Sequence, residues 1–209
     1  VKSVENSSTS YNQAHQNLNN STMKTYLENW YTNNLSSVDD KISKTTYFCN
    51  NRQISSKGDG TYKNTGYGIT PTMYGYTRIY DWNGNATGPT LNCPQSADKF
   101  TASTATGNGK QTKPIGLITA DEVNMAGGKN GFRNMLYYLY TGTDYWTMSP
   151  SYFNSYWSDA IEFYVTSSGE LSPWNVVTGG YGVRPVLNLN TENLEFTGTG
   201  TMQDPYVIE

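Results

Sequence analysis

The side chains able to do chemistry are few, and their placement decides what they can do. His15 is the single histidine and lies in a polar N-terminal stretch. That removes Ser-His-Asp and Cys-His arrangements and every histidine-based metal set. No Gly-x-Gly-x-x-Gly or Walker pattern offers phosphates a cradle. Two carboxylate pairs remain. Asp121 and Glu122 belong to a helix start, where acids oppose the helix dipole. Asp159 and Glu162 could flank a sugar as glycosidase acids do, but ordinary solvated carboxylates are the expectation. Asp, Glu and carbonyl oxygens could hold a structural calcium ion, yet no EF-hand spacing exists. A Lys–Asn isopeptide crosslink has no identifiable pair. The sequence therefore assigns no catalytic residue, no metal ligand and no cofactor, and predicts a protein that is not an enzyme.

Binding is the alternative chemistry, and one tract is built for it. Its apolar anchors are sparse: Ala160, Ile161, Val165, Leu171 and Val176. Around them stand Tyr152, Asn154, Tyr156, Trp157, Ser158, Asp159, Glu162, Tyr164, Ser172, Trp174, Asn175, Thr178 and Tyr181. Tyr and Trp give large amphipathic contact area at low entropy cost, and Ser and Asn give adaptable hydrogen bonds, as in an antibody paratope. These thirteen residues are the expected ligand-binding set. Ala160, Val165, Leu171 and Val176 are expected to point inward, and Tyr156, Trp157, Trp174 and Tyr181 to be at least half exposed. Arg184 reads as structural, pairing with a carboxylate or with backbone carbonyls beneath the face.

The elements that must hold this tract are partly legible. Met23, Tyr26, Leu27, Trp30 and Tyr31 share one helical face, with Ser21 or Asn20 placed to cap, so a helix is predicted over residues 22 to 34. Thr119 with Glu122 three positions later makes a capping box, and Gly127-Gly128 stops the helix that it starts. Short strands are predicted at residues 46 to 49, 76 to 80, 114 to 118, 137 to 140, 145 to 148, 160 to 165, 171 to 177, 182 to 189, 194 to 196 and 206 to 208. Gly58-Asp59-Gly60, Asn83-Gly84-Asn85 and Ser167-Ser168-Gly169 read as turns, the last as a hairpin turn. Residues 102 to 110 read as a small-residue loop, and residues 1 to 19 as a frayed segment before a single domain over 20 to 209.

Composition bounds the setting. Of 209 residues, 35% are hydrophobic and only 15% charged, with 18 Tyr. Low charge with abundant Asn, Thr and Tyr points to a secreted or surface-displayed β-rich protein rather than a cytosolic enzyme. A net charge of −3 argues against a nucleic-acid partner, which needs a basic face. No stretch reaches the roughly 18 apolar residues of a membrane span, although an upstream anchor is compatible with the abrupt start at Val1. Cys49 and Cys93 allow one pairing: a disulfide in an extracellular protein, or otherwise two buried thiols.

Leu117-Ile118-Thr119-Ala120-Asp121-Glu122-Val123 through Ala126-Gly127-Gly128, and later Gly182-Val183-Arg184-Pro185, resemble the formylglycine-generating-enzyme branch of C-type lectin-like folds. The likeness spans residues 114 to 189. Within that branch the tract from about 150 to 182 is similar to the variable proteins of diversity-generating retroelements, whose Asn codons are rewritten into Tyr, Ser, Asp and similar residues. Trp30-Tyr31, Cys49-Asn50-Asn51-Arg52, Trp146-Thr147-Met148-Ser149-Pro150 and Asp204-Pro205-Tyr206-Val207-Ile208 resemble surface domains of gut Firmicutes. The resemblance implies an α+β, C-type lectin-like fold of short strands, long loops and two or so helices. It implies a hypervariable bacterial or phage receptor at the cell surface that binds a protein or glycan. It does not imply oxidase chemistry, because no Cys follows Cys93, nor calcium-dependent sugar binding, because Glu-Pro-Asn and Trp-Asn-Asp are absent. The remaining readings are a fixed-specificity lectin-like adhesin, a pilin-like subunit whose aromatic helix packs into an assembly, and a glycan-active or formylglycine-type enzyme.

Overall fold

The computed structural model describes residues 19–55, 72–80, 86–154, 159–177, 179–192, 194–201 and 203–208. Most of the segment expected to fray, and the turn signals at 58–60 and 83–85, lie outside them. The fold is α+β. Helix α1 (Thr22–Asn34) runs into a 3-10 turn (Ser36–Lys41). Then come β1 (Phe48–Cys49), β2 (Thr72–Met73), α2 (Tyr76–Ile79), β3 (Lys99–Phe100), β4 (Gly116–Leu117) and α3 (Ala120–Ala126). A meander follows: β5 (Tyr145–Asn154), β6 (Asp159–Val165) and β7 (Leu171–Val176). β8 (Pro185–Val186), β9 (Phe196–Thr197) and β10 (Val207–Ile208) close the described chain.

The central sheet has the order β2-β5-β6-β7, antiparallel throughout. Strand period alone sends neighbouring residues to opposite faces, and here both faces are covered. Tyr145, Phe163, Val165 and Leu171 enter one core with Tyr76 and Tyr80 beside α2, Val123 of α3, and Tyr137 and Leu139 of the loop after it. Trp146 enters a second core with Leu27 and Tyr31 of α1, Ile42, Ile115 and Leu117. Burying a side chain such as Leu27 contributes about 1.5–3 kcal/mol. Tyr26, at the margin of the helical stripe, is exposed.

Local signals hold where the chemistry is local. Ser21 Oγ accepts from Lys24 N–H at 3.0 Å and starts α1. Thr119 and Glu122 form the reciprocal capping box of α3, which ends at left-handed Gly127. Glu28 fastens α1 to the segment before β4, its Oε1 accepting from Thr112 N–H at 2.6 Å.

Two strand expectations fail. Residues 76 to 80 are a single helical turn, with Ile79 N–H donating to the carbonyl of Gly75. Gly75 sits at φ +64, and a Cβ there would come within 3.1 Å of the Phe163 ring. The entry to α2 therefore needs glycine. Residues 137 to 140 bury Tyr137 and Leu139 and expose Tyr138 as a strand would, but no partner strand among the described residues pairs with them. The strand expected over 182 to 189 shrinks to β8, flanked by single bridges from Gly182 to Tyr145 and from Leu189 to Ile42. Cys49 and Cys93 are disulfide-bonded.

Candidate functional site

The expected binding set divides into four groups. Tyr156, Trp157, Ser158 and Thr178 lie outside the described residues. Asn154 and Asp159 enter through their backbones, as the last register pair before the β5–β6 connection. Glu162 and Ser172 are buried, a correction of the display reading. Tyr152, Tyr164, Asn175 and Tyr181 are partly buried, and with exposed Trp174 they are the described side chains of the set that keep contact with solvent.

Tyr164 and Tyr181 stack with centroids 4.9 Å apart, and Tyr181 lies 4.8 Å from the Trp146 ring. Both rings pack against the second core. Tyr181 is thus not the half-exposed anchor expected; its hydroxyl accepts from Asn175 Nδ2. Ser172 pairs with Tyr164 in the β6–β7 register and is buried, while Tyr164 is partly so.

Glu162 is 5% exposed, and its Oε2 has no hydrogen-bond partner. Burial pushes its carboxyl up to about 8, and the nearby Arg52 guanidinium opposes the shift. Arg52 is itself held by Asp98, its Nε and Nη2 donating to Asp98 Oδ1 at 2.8 and 2.6 Å. A carboxyl enclosed in this way does not face solvent.

The raised value has a thermodynamic consequence. Between the unfolded value near 4.5 and the folded value near 8, the native state binds more protons than the unfolded one. The stabilisation from this proton is complete below the lower value and is lost as pH rises through the upper one. Glu162→Gln keeps the shape and removes the titration. Thermal melts of both proteins across that window should converge at the acid end, with the variant melting higher at the alkaline end. Parallel curves would show that Glu162 ionises as a solvated acid does.

Trp174 owes its position to a register shift. Glu162 pairs with Asn175 and Tyr164 with Ser172, so β7 carries one residue more than β6 between those pairs. Pro173, which has no N–H to give a ladder, occupies the bulge. The bulge re-aims Trp174, which is 48% exposed. Its ring is braced edge-on by Tyr152 at 5.6 Å and Tyr80 at 6.2 Å. Tyr80 was not among the expected residues; the spacing of Tyr76 and Tyr80, four apart on one helical face, was the signal that could have found it.

No family model, curated protein or solved structure matches the chain. The inward placement of Val165 and Leu171 agrees with expectation, while Ala160 is only half-buried. Arg184 is structural as expected: its Nη1 donates to the Leu139 carbonyl at 2.7 Å, and its guanidinium lies 4.9 Å over the Tyr145 ring. A cavity of about 330 Å³ opens elsewhere, lined by Tyr47, Leu91, Asn92, Glu122 and Asn188 among others, and no residue of the expected tract reaches it.

Proposed function

We propose that this chain is a non-enzymatic binding domain displayed at a cell surface, on a C-type lectin-like scaffold. The end of the sheet made by the β5–β6 hairpin and β7 takes a protein or glycan ligand, with no metal or cofactor. The observation that carries the reading is Trp174: a half-exposed indole at a strand bulge, braced by two tyrosines. A rigid aromatic that has already lost its rotamer freedom binds at little further entropy cost, and such residues dominate interface energetics. The order of elements supports the scaffold reading, since the capped helix α3 precedes the meander and the Gly182-Val183-Arg184-Pro185 segment follows it. The disulfide supports an oxidising, extracellular setting. Full burial of Tyr31 and partial burial of Trp30 favour a self-contained module over a pilin-like subunit that packs through α1.

Variation by a retroelement is part of the proposal. It places the changing codons at Asn154, Ser155, Tyr156, Ser158, Asp159, Asn175 and Tyr181, with Ala160, Val176 and residues 182 to 187 fixed. One two-part experiment tests the reading. The coding region for residues 150 to 185 is sequenced across the source population, and the protein is screened on glycan and protein arrays beside Trp174→Ala. Substitutions confined to adenine-bearing codons are expected. So is a loss of at least about 30-fold in affinity for the best ligand, the scale of a hot-spot truncation, with little change in melting temperature. A uniform tract would leave a fixed-specificity adhesin, and undiminished binding by the variant would remove the site.

A further inference from the structure

Between Glu122 and Asp144 the chain carries two charges, Lys129 and Arg133, both basic, in a protein whose net charge is −3. The same segment holds the largest concentration of exposed apolar side chains among the described residues. Leu136 is 97% exposed, Tyr138 81%, Phe132 68% and Met135 61%. This is not a loose loop. Tyr137 and Leu139, alternating with the exposed residues, are buried in the first core. Asn134 Nδ2 donates to the Gly127 carbonyl at 3.0 Å, and Asn134 N–H to Ser168 at 3.2 Å. Leu171 N–H donates to the Lys129 carbonyl at 3.3 Å. A Cβ on Gly169 would lie 1.7 Å from the Asn134 carbonyl oxygen, so the turn between β6 and β7 must be glycine for the loop to dock on it. The fold thus holds four large apolar side chains out in water on a fixed knob.

We infer that this knob, residues 129 to 138, seats the protein peripherally on an anionic phospholipid bilayer. Shape argues for lipid. A side chain as exposed as Leu136 stands on a convex tip, for which a protein partner would need a matching socket, whereas acyl chains close around any apolar protrusion. Charge argues for an anionic surface. Lys129 and Arg133 flank the apolar residues, the combination that holds basic, apolar segments at lipid interfaces. Glu170 is held at the base of the knob, its Oε1 accepting from Gly131 N–H at 2.8 Å, while Lys129 and Arg133 are exposed beside the apolar residues. The Tyr138 ring, apolar with a polar tip, suits the headgroup level. No helix among the described residues is long and apolar enough to cross a membrane, and the knob needs none. This inference does not rest on the ligand-binding reading.

The test is co-sedimentation of the full chain with phosphatidylcholine vesicles, with and without phosphatidylglycerol. Binding is expected to the anionic vesicles and to weaken with salt. Leu136→Glu combined with Tyr138→Glu should lower the partition coefficient by at least about tenfold. Leu91→Glu, an exposed apolar site far along the chain, should leave it unchanged. Circular dichroism checks that each variant is folded. Lys129→Gln with Arg133→Gln keeps the apolar tip and should abolish the preference for phosphatidylglycerol. Absence of binding to anionic vesicles, or equal binding by the Leu136→Glu/Tyr138→Glu protein, overturns the inference. It is equally overturned if the knob substitutions act by dissolving a dimer seen in sedimentation velocity without vesicles, because the knob is then a protein contact.

Discussion

Asp98→Ala is expected to destabilise the protein by about 3–5 kcal/mol, the cost of leaving a buried guanidinium without its counter-charge. For a chain of this size that lowers the melting temperature by about 6–20 °C. Asp98 is fully buried and accepts from the backbone N–H of Arg52 at 2.7 Å as well as from its Nε and Nη2. Its backbone carbonyl also receives Asn50 N–H at 3.0 Å. One residue thus pins a segment 46 positions away. The segment in question covers the face of the sheet that carries Glu162. Differential scanning calorimetry checks the size of the effect. Arg52→Met made together with Asp98→Ala should recover part of the loss, because no charge is then stranded. A single-variant effect below about 1 kcal/mol would mean that Arg52 keeps enough other partners to stay paired.

The second large effect is reduction of the Cys49–Cys93 bond. The cysteines are 44 residues apart, which in the chain-entropy model corresponds to about 4 kcal/mol. Cys49→Ser with Cys93→Ser should lower the urea midpoint accordingly. The dependence on urea should also steepen, because the uncrosslinked chain exposes more surface when unfolded. Those two changes together locate the effect in the unfolded state. A lower midpoint at constant slope would instead locate it in native packing around Phe48, whose strand β1 pairs with β3 beside the same crosslink.

Legibility followed the range of the interactions. The cap of α1 and the capping box of α3 are contacts three residues apart, and both were readable from residue type. The turn at Tyr76 was misread because Tyr, Thr and Ile favour strands, while its conformation is set by Gly75 and by the distant Phe163 ring. The burial of Glu162 is illegible in the display tract for a related reason. Alternation along β6 says that Glu162 and Tyr164 oppose Phe163 and Val165, but not which face is covered. Coverage comes from α1 and residues 50 to 55, more than a hundred positions upstream, and nothing local to β6 records it. The Arg52–Asp98 pair is hidden from the sequence for the same reason, and so is the weakened acidity of Glu162. Trp174 was found because its exposure arises locally, from a proline and an extra residue in its own strand.

Pro173 has a meaning for solubility. β7 ends the sheet among the described strands, and an uncovered sheet edge is a template on which another chain can add a strand. A proline removes one donor from that edge, and the bulge bends the rest out of line. The protein can therefore hold an exposed indole at its border without offering a straight ladder to a second molecule. Pro173→Thr would restore the donor, and a rise in fibre formation would show that the proline guards that edge.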